Sequence, residues 1–274
     1  MTIDTPIRED QHLATTHRAV WASGDYALMA EEVMAPLGPI LVAATGIGPG
    51  QRVLDVAAGS GNISLPAART GAGVVSTDLT PELLDRSRSR ATELGLTLHW
   101  QQANAHALPF GDGEFDTVIS AIGVMFAPDQ QRAADELVRV CRPAGTIGVI
   151  SWTPTGFFGR MLATIRPYRP SLTAAVPPAA LWGREDYVRG LLGDRVTDVS
   201  ASREMLAVNR FDSAEDVHYY FRNHYGPTIE AFANIGDNAV LAAALDAQLV
   251  ELAQEFLAGG VMEWEYLLLT AKKR

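Results

Sequence analysis

The sequence predicts an α/β fold, a mostly parallel sheet with helices on both faces. Three observations carry this. From about residue 51 to 152, short runs rich in β-branched residues alternate with longer runs of helical spacing, the rhythm of βαβ units. The first of these strands, in VLDVAAGSGN (53–62), runs straight into two closely spaced glycines and a helix. The chain has 274 residues, 47% of them hydrophobic, enough to bury a substantial core in one large domain.

The elements follow in order. Residues 8–45 read as helical with a break at SGDY and are expected to cover one edge of a site. Strands are expected at 52–57, 73–78, 97–102, 115–121 and 145–152, with helices at 62–70, 80–94 and 129–141 between them. TPELLDRSRSRATELG shows the signals: Thr80 as N-cap, Pro81 at the first helical position, Glu82 in the first turn, Gly95 as the stop. After Trp152 the rhythm changes, and PYRPSLTAAVPPAALWG is too rich in proline for a long regular element, so a loop or inserted lid is expected. Then come a helix at 184–192, a strand at 204–210, helices at 213–232 and 237–257, and a closing strand, MEWEYLLLTAKKR, apolar enough to lie inside the sheet. The two late strands bring the sheet to seven. The expected division is a helical cover (1–50), a ligand-binding core (51–152), and a lid with the rest of the sheet (153–274).

Composition removes several function classes. A formal charge of -10 disfavours sequence-independent binding to a phosphate backbone, so no nucleic-acid partner is expected. The longest apolar stretches are broken by Pro and Gly, well short of the roughly 20 residues of a membrane span. The first residues, MTIDTPIREDQHL, carry acids and no apolar run of the secretory type, and the expected location is cytoplasmic. The single cysteine, Cys141, forms no internal disulfide and reads as a buried structural residue. No metal is expected, since the histidines and the cysteine lack ligand spacing.

At the mouth of the first strand, Gly59 and Gly61 let backbone turn tightly and let a ligand lie against it. The next helix presents free N–H groups. A dinucleotide fingerprint would place a third glycine at 64, where this chain has Ser64, which disfavours a nicotinamide oxidoreductase. A ligand with an amino acid at one end and a ribose at the other suits acids on both of the first two strands. Asp55 ends the first and is placed to orient the loop or meet a cation. Asp78 ends the second and is placed to accept from both ribose hydroxyls.

With VLDVAAGSGN, STDLTPELL, ANAHALPF, GEFDTVISAIGVMF and ADELVRVCRPAGTIGVISW in order, the chain resembles a class I S-adenosylmethionine-dependent methyltransferase. It resembles most the small-molecule branch that includes ubiquinone and menaquinone biosynthetic enzymes. The resemblance implies a Rossmann-like seven-stranded sheet and S-adenosyl-L-methionine as cofactor. It implies that Gly59, Ser60 and Gly61 run beneath the methionine part, Asp78 holds the ribose, and Leu79 packs on adenine. Asn104 and Ala105 would meet the adenine edge, Ser120 and Ala121 the methionyl end, with Asp55 and Asn62 completing the set. There are two departures: Ala57 and Ala58 stand where the family often has glycine, and Asn104 stands where it commonly has Asp.

Methyl transfer from a sulfonium is an in-line displacement in which alignment and exclusion of water matter most. A general base helps where the acceptor is a hydroxyl or an acidic carbon. Candidates are Tyr26, His17, and His218 and His224 within VHYYFRNHYGP, the last segment also bringing Tyr225 close by. Met125, Phe126, Trp152, Phe157, Phe158, Tyr168 and Trp182 are expected to line an apolar acceptor cavity. The expected acceptor is small and hydrophobic or aromatic. A non-catalytic binding or regulatory module with the same fold is the alternative.

Overall fold

The computed structural model describes residues 18–169 and 176–274. His17, residues 8–17 of the expected helical cover, and residues 170–175 of the proline-rich segment lie outside the described residues.

Five strands run parallel: β1 (Arg52–Val56), β2 (Gly73–Asp78), β3 (His99–Gln102), β4 (Phe115–Ala121) and β5 (Cys141–Trp152). With β6 (Val196–Val208), a two-residue β7 (Leu257–Ala258) and β8 (Val261–Lys273) they make one sheet ordered β3-β2-β1-β4-β5-β8-β6, and β7 pairs with β8 off this path. β8 runs antiparallel to both its neighbours, so the closing strand lies inside the sheet, as its apolar sequence predicts. Burial explains the patterning. β1 and β4, central and covered on both faces, are near-continuous apolar runs, whereas β6 at the edge alternates.

The helices are α1 (Tyr26–Glu32), α2 (Leu37–Thr45), α3 (Ser64–Arg69), α4 (Pro81–Glu93), α5 (Gln130–Val140), α6 (Phe157–Ile165), α7 (Glu185–Leu192), α8 (Ala214–His224), α9 (Gly226–Ile235) and α10 (Ala239–Phe256). α2 packs on α3, β4 and β5, α4 on β2 and β3, and α5 on β4 and β5. Among the described residues, no single helix is long and apolar enough to cross a membrane.

Four differences from the sequence reading have physical causes. The strand expected at 204–210 is β6, which begins at Val196; its first half, VTDVSASR, is polar, as an edge strand permits, and so carries no apolar run. The helix expected at 213–232 is two helices, α8 and α9, broken at an extended Tyr225 two residues before Pro227, which fits only the first turn of the second helix. β5 begins at Cys141, four residues early, directly from the end of α5. α6 follows Trp152 where no helix is expected, and it carries Phe157 and Phe158.

Candidate functional site

A cavity of about 500 Å³ opens beyond the carboxyl ends of the parallel strands, and every one of them contributes to it. Residues 57–60 after β1, Asp78 and Leu79 after β2, 103–107 after β3, 121–124 after β4 and Trp152 at the end of β5 form its wall. This is where strand order reverses about β1, the ordinary position for a ligand in an open parallel sheet. Trp21, Tyr26, Met29 and Met34 from the N-terminal segment close it from the other side.

The loop after β1 turns on three left-handed residues, Ala57 (φ 56°), Gly59 (φ 55°) and Gly61 (φ 88°). Ala57 thus makes without glycine the turn that the family often makes with it, at a cost in strain. Gly59 lines the cavity, and a Cβ there would meet nothing within 4 Å, so bare peptide faces open space. Gly61 is otherwise employed. A Cβ on it would lie 2.4 Å from Ser87 Oγ, so this glycine lets the loop lie against α4 and is not on the cavity wall.

Asp78 ties the loop together. Its Oδ2 accepts from the Gly59 backbone N–H at 2.9 Å and its Oδ1 from the Thr80 N–H at 2.8 Å. Each oxygen keeps a lone pair, and the residue lines the cavity while only 8% exposed. Burial raises its pKa, and the backbone donors at Thr80 and Gly59 oppose that rise. Among the described residues that line the cavity, Asp78 is the one carboxylate.

Asp55 takes the loop-orienting role. Fully buried and off the cavity wall, it lies beneath the start of α3, where the Ser64 hydroxyl donates to its Oδ2 at 2.6 Å. Ser64 also lies 3.0 Å from Ser76 Oγ. The serine in place of a third fingerprint glycine therefore has a partner in the acid nine residues before it. Burial pushes the Asp55 carboxyl up to about 7, and the nearby charge of Asp78 adds to the rise.

The remaining donor-site candidates divide. Ser60, Asn62, Leu79, Asn104, Ala105 and Ala121 all lie on the cavity wall. Asn62 donates to Met34 O at 2.8 Å, joining the loop to the helical cover. Asn104 closes its own turn, its amide oxygen accepting from the His106 N–H at 3.0 Å. Ser120 lies off the wall and fully buried; its hydroxyl donates to Val56 O at 2.7 Å and accepts from the Val124 N–H at 3.0 Å, bracing the ends of β1 and β4.

Among the acceptor-side candidates, Phe126, Trp152 and Phe158 line the cavity. Met125, Phe157, Tyr168 and Trp182 do not. Adjacent residues in a helical turn point in different directions, so Met125 enters the core while Phe126 faces the cavity, and Phe157 stacks in the core on Trp264 while Phe158 stacks on Trp152. Trp182 is fully buried elsewhere, and the Tyr168 carbonyl accepts from Asn234.

The candidate bases fare as follows. His218 sits off the cavity, its Nε2 2.8 Å from Asp246, and His224 is also off the wall, its ring against Tyr220. Tyr26 lines the cavity, yet its oxygen accepts from the Gly226 N–H at 3.1 Å, and burial raises its pKa well above the usual phenol value. It is protonated at neutral pH. Trp21, Ile122 and Arg132 on the wall escaped the sequence reading, since each lies outside the quoted motifs or is one apolar residue among many. Cys141 is buried, and burial pushes its thiol up to about 11, which makes it inert. Among the described residues no group of three His, Cys, Asp or Glu is placed to hold a metal ion.

The comparisons with known proteins agree with this geometry. Residues 54–149 match a methyltransferase domain family. Over its whole length the chain is 78% identical to an uncharacterized protein of Mycobacterium tuberculosis (strain ATCC 25618 / H37Rv), covering all of both chains. It is 39% identical over 113 residues to the demethylmenaquinone methyltransferase of Thermus thermophilus, a match that spans 40% of this chain and 51% of that one. In fold it is similar to a geranyl diphosphate methyltransferase solved in complex with S-adenosylmethionine, with a TM-score of 0.55 and 18% identity over 88% of this chain and 85% of that one. A cavity-facing bare glycine, a buried acid at the next strand tip and a wall built by five strand ends fit S-adenosylmethionine. The chain belongs to the class I S-adenosylmethionine-dependent methyltransferases.

Proposed function

We propose that the chain transfers the methyl group to a small, hydrophobic or aromatic acceptor held in the same cavity as the donor. The observation that supports this most is the continuity of the cavity, polar around Asp78 and Asn104 and aromatic around Phe126, Trp152 and Phe158. The cofactor supplies an electrophilic methyl group on a cationic sulfur. Asp78 would hold the ribose through its free lone pairs, Leu79 would pack on adenine, and Asn104 with Ala105 would meet the adenine edge. Gly59, Ser60, Asn62 and Ala121 would border the methionyl end. The roof of Trp21, Tyr26 and Met29 would exclude water, and alignment in such an enclosure is worth about 7 to 11 kcal/mol of barrier.

The Thermus relative's name adds support for an aromatic acceptor. The helical cover, the core and the C-terminal half are proposed to act as one enclosure, in a cytoplasmic protein. Turnover of methyl-labelled donor with a panel of phenols, quinols and heterocycles tests the proposal. Transfer to an aromatic member is the expected result. Tight donor binding with no transfer to any of them would instead favour the non-catalytic module.

A further inference from the structure

In the loop after β1, Ser60 stands between two left-handed glycines, Gly59 (φ 55°) and Gly61 (φ 88°). Glycine has no Cβ to bar other backbone conformations, so a peptide in such a place keeps one orientation only where its polar groups are held. For the peptide joining Ser60 to Gly61, both are. The Gly61 N–H donates to Ala58 O at 3.0 Å, and the Ser60 carbonyl accepts from Arg90 Nη1 at 2.9 Å, with Ser60 Oγ 3.4 Å from the same nitrogen. Ser60 is 3% exposed and lines the cavity.

Arg90 reaches this loop from α4, and the same helix supports the next residue, since Gly61 lies against Ser87, whose hydroxyl accepts from the Trp100 indole N–H at 3.0 Å. Another nitrogen of the guanidinium is taken by the helical cover. Arg90 Nε lies 3.1 Å from Glu31 Oε1 in α1. A guanidinium is planar and rigid, so a carboxylate held on one N–H fixes the direction of the others. The Arg90 side chain is 21% exposed, against 53% for Arg86 one turn earlier, which pairs with Asp25 and has no hydrogen bond to the loop among the described residues. Arg90 is thus the member of this helix face that is drawn inward onto the backbone of the cavity wall.

From this we infer that Arg90 is a positioning residue for the donor: it holds the Ser60 peptide in the orientation that receives the methionyl end, and Glu31 of the cover acts on the loop through it. The inference rests on the reading of Ser60 as a border of that end. Neither Arg90 nor Glu31 lines the cavity, so the link runs behind the wall and touches no ligand. Donor affinity then depends on whether the cover is seated, and by reciprocity the donor seats the cover.

The test titrates two ligands into the full chain by calorimetry, S-adenosylhomocysteine and 5′-methylthioadenosine, which keeps the adenine, ribose and sulfur and lacks the amino-acid end. The readout is the ratio of the two affinities, which a merely structural role would not move. Arg90→Met is expected to weaken S-adenosylhomocysteine about tenfold or more, the worth of a hydrogen bond from a charged group, and methylthioadenosine by less than about twofold. Glu31→Ala is expected to lower the same ratio severalfold in the wild type and not at all in Arg90→Met, because its effect passes through the arginine. Arg86→Met is expected to leave the ratio unchanged. Equal losses of the two ligands in Arg90→Met, an unchanged affinity for both, a Glu31→Ala effect that persists at full size without Arg90, or a ratio that falls as far in Arg86→Met overturns the inference. Should Arg90→Met fail to fold, Glu31→Ala at its exposed position decides alone: a fallen ratio supports the inference and an unchanged one overturns it. A wild type that binds S-adenosylhomocysteine no tighter than methylthioadenosine is a separate outcome, and it removes the methionyl reading of the loop and this inference together.

Discussion

The carboxylate of Asp78 and the backbone N–H of Gly59 are joined by a 2.9 Å hydrogen bond, so the acid ending one strand fixes the loop that leaves its neighbour. β1 and β2 pair in register up to Val56 and Thr77, and this bond continues the connection past the last rung. The side chain proposed to hold the ribose is therefore also the one that fixes the loop.

The strain at Ala57 predicts a stabilising substitution. An L-residue in the left-handed region costs about 1 to 2 kcal/mol, and Ala57→Gly removes that while giving back roughly half in chain entropy. We expect urea denaturation to show a gain of about 0.5 to 1 kcal/mol with an unchanged slope. A loss would mean that the Ala57 methyl packs to greater effect than its backbone strains.

Gly123 predicts the converse. Its φ is ordinary, but a Cβ there would lie 2.5 Å from Ala57 O and 2.8 Å from Ala57 Cβ. Gly123→Ala is expected to lose about 1 to 3 kcal/mol in the same assay. In the Ala57→Gly background the loss is expected to shrink, since one of the two colliding groups is gone; strict additivity would argue against the contact.

Asp55 predicts a pH dependence whose sign is fixed by burial. Its carboxyl titrates at about 7 in the folded chain, against about 3.9 when exposed, so folding favours the protonated form. That contribution is fully present below about pH 4 and is lost as pH rises through about 7. Asp55→Asn keeps the shape and cannot ionise. The stability of the variant relative to wild type is expected to rise by on the order of 2 kcal/mol between pH 5 and pH 7, followed by urea denaturation. A difference that stays flat with pH would place the ordinary, low pKa on this acid.

The helical cover is fastened by charges. Arg18 pairs with Glu82 at 2.6 Å, Asp25 with Arg86 at 2.8 Å, and Glu31 with Arg90 at 3.1 Å, so its partners fall at every fourth residue along one face of α4. Such exposed pairs are worth at most about 1 kcal/mol each and weaken with salt. Arg86→Glu, and added salt in the wild type, are expected to speed amide exchange in α1 and hasten S-adenosylhomocysteine release severalfold. Unchanged exchange would mean that apolar contacts of Met29 and Leu37 hold the cover alone.

The fold and the loops after β1 and β2 are legible in the sequence because their signals are local. A strand, a glycine turn and a capped helix each lie within about fifteen residues, and their order constrains the sheet. The aromatic part of the cavity wall is of another kind. Trp21, Tyr26, Phe126 and Tyr225 meet only after the chain has folded, and no spacing in the sequence records that. Where a helix was not foreseen, its phase was lost as well: Phe157 and Phe158 were indistinguishable as letters, yet α6 sends one into the core and the other to the cavity. Gly61 and Ser120 show the same limit, since a motif position fixes where the backbone goes and not which neighbour the side chain or its absence serves.

Calorimetric titration of S-adenosylhomocysteine into wild type and Asp78→Ala tests the central claim most directly, with thermal unfolding to confirm that the variant is folded. We expect clear binding by the wild type and a loss of about 1.5 to 3 kcal/mol in the variant, roughly ten- to hundredfold in affinity. Equal affinity in the two proteins would contradict the claim that this acid, at the tip of β2, grips the donor.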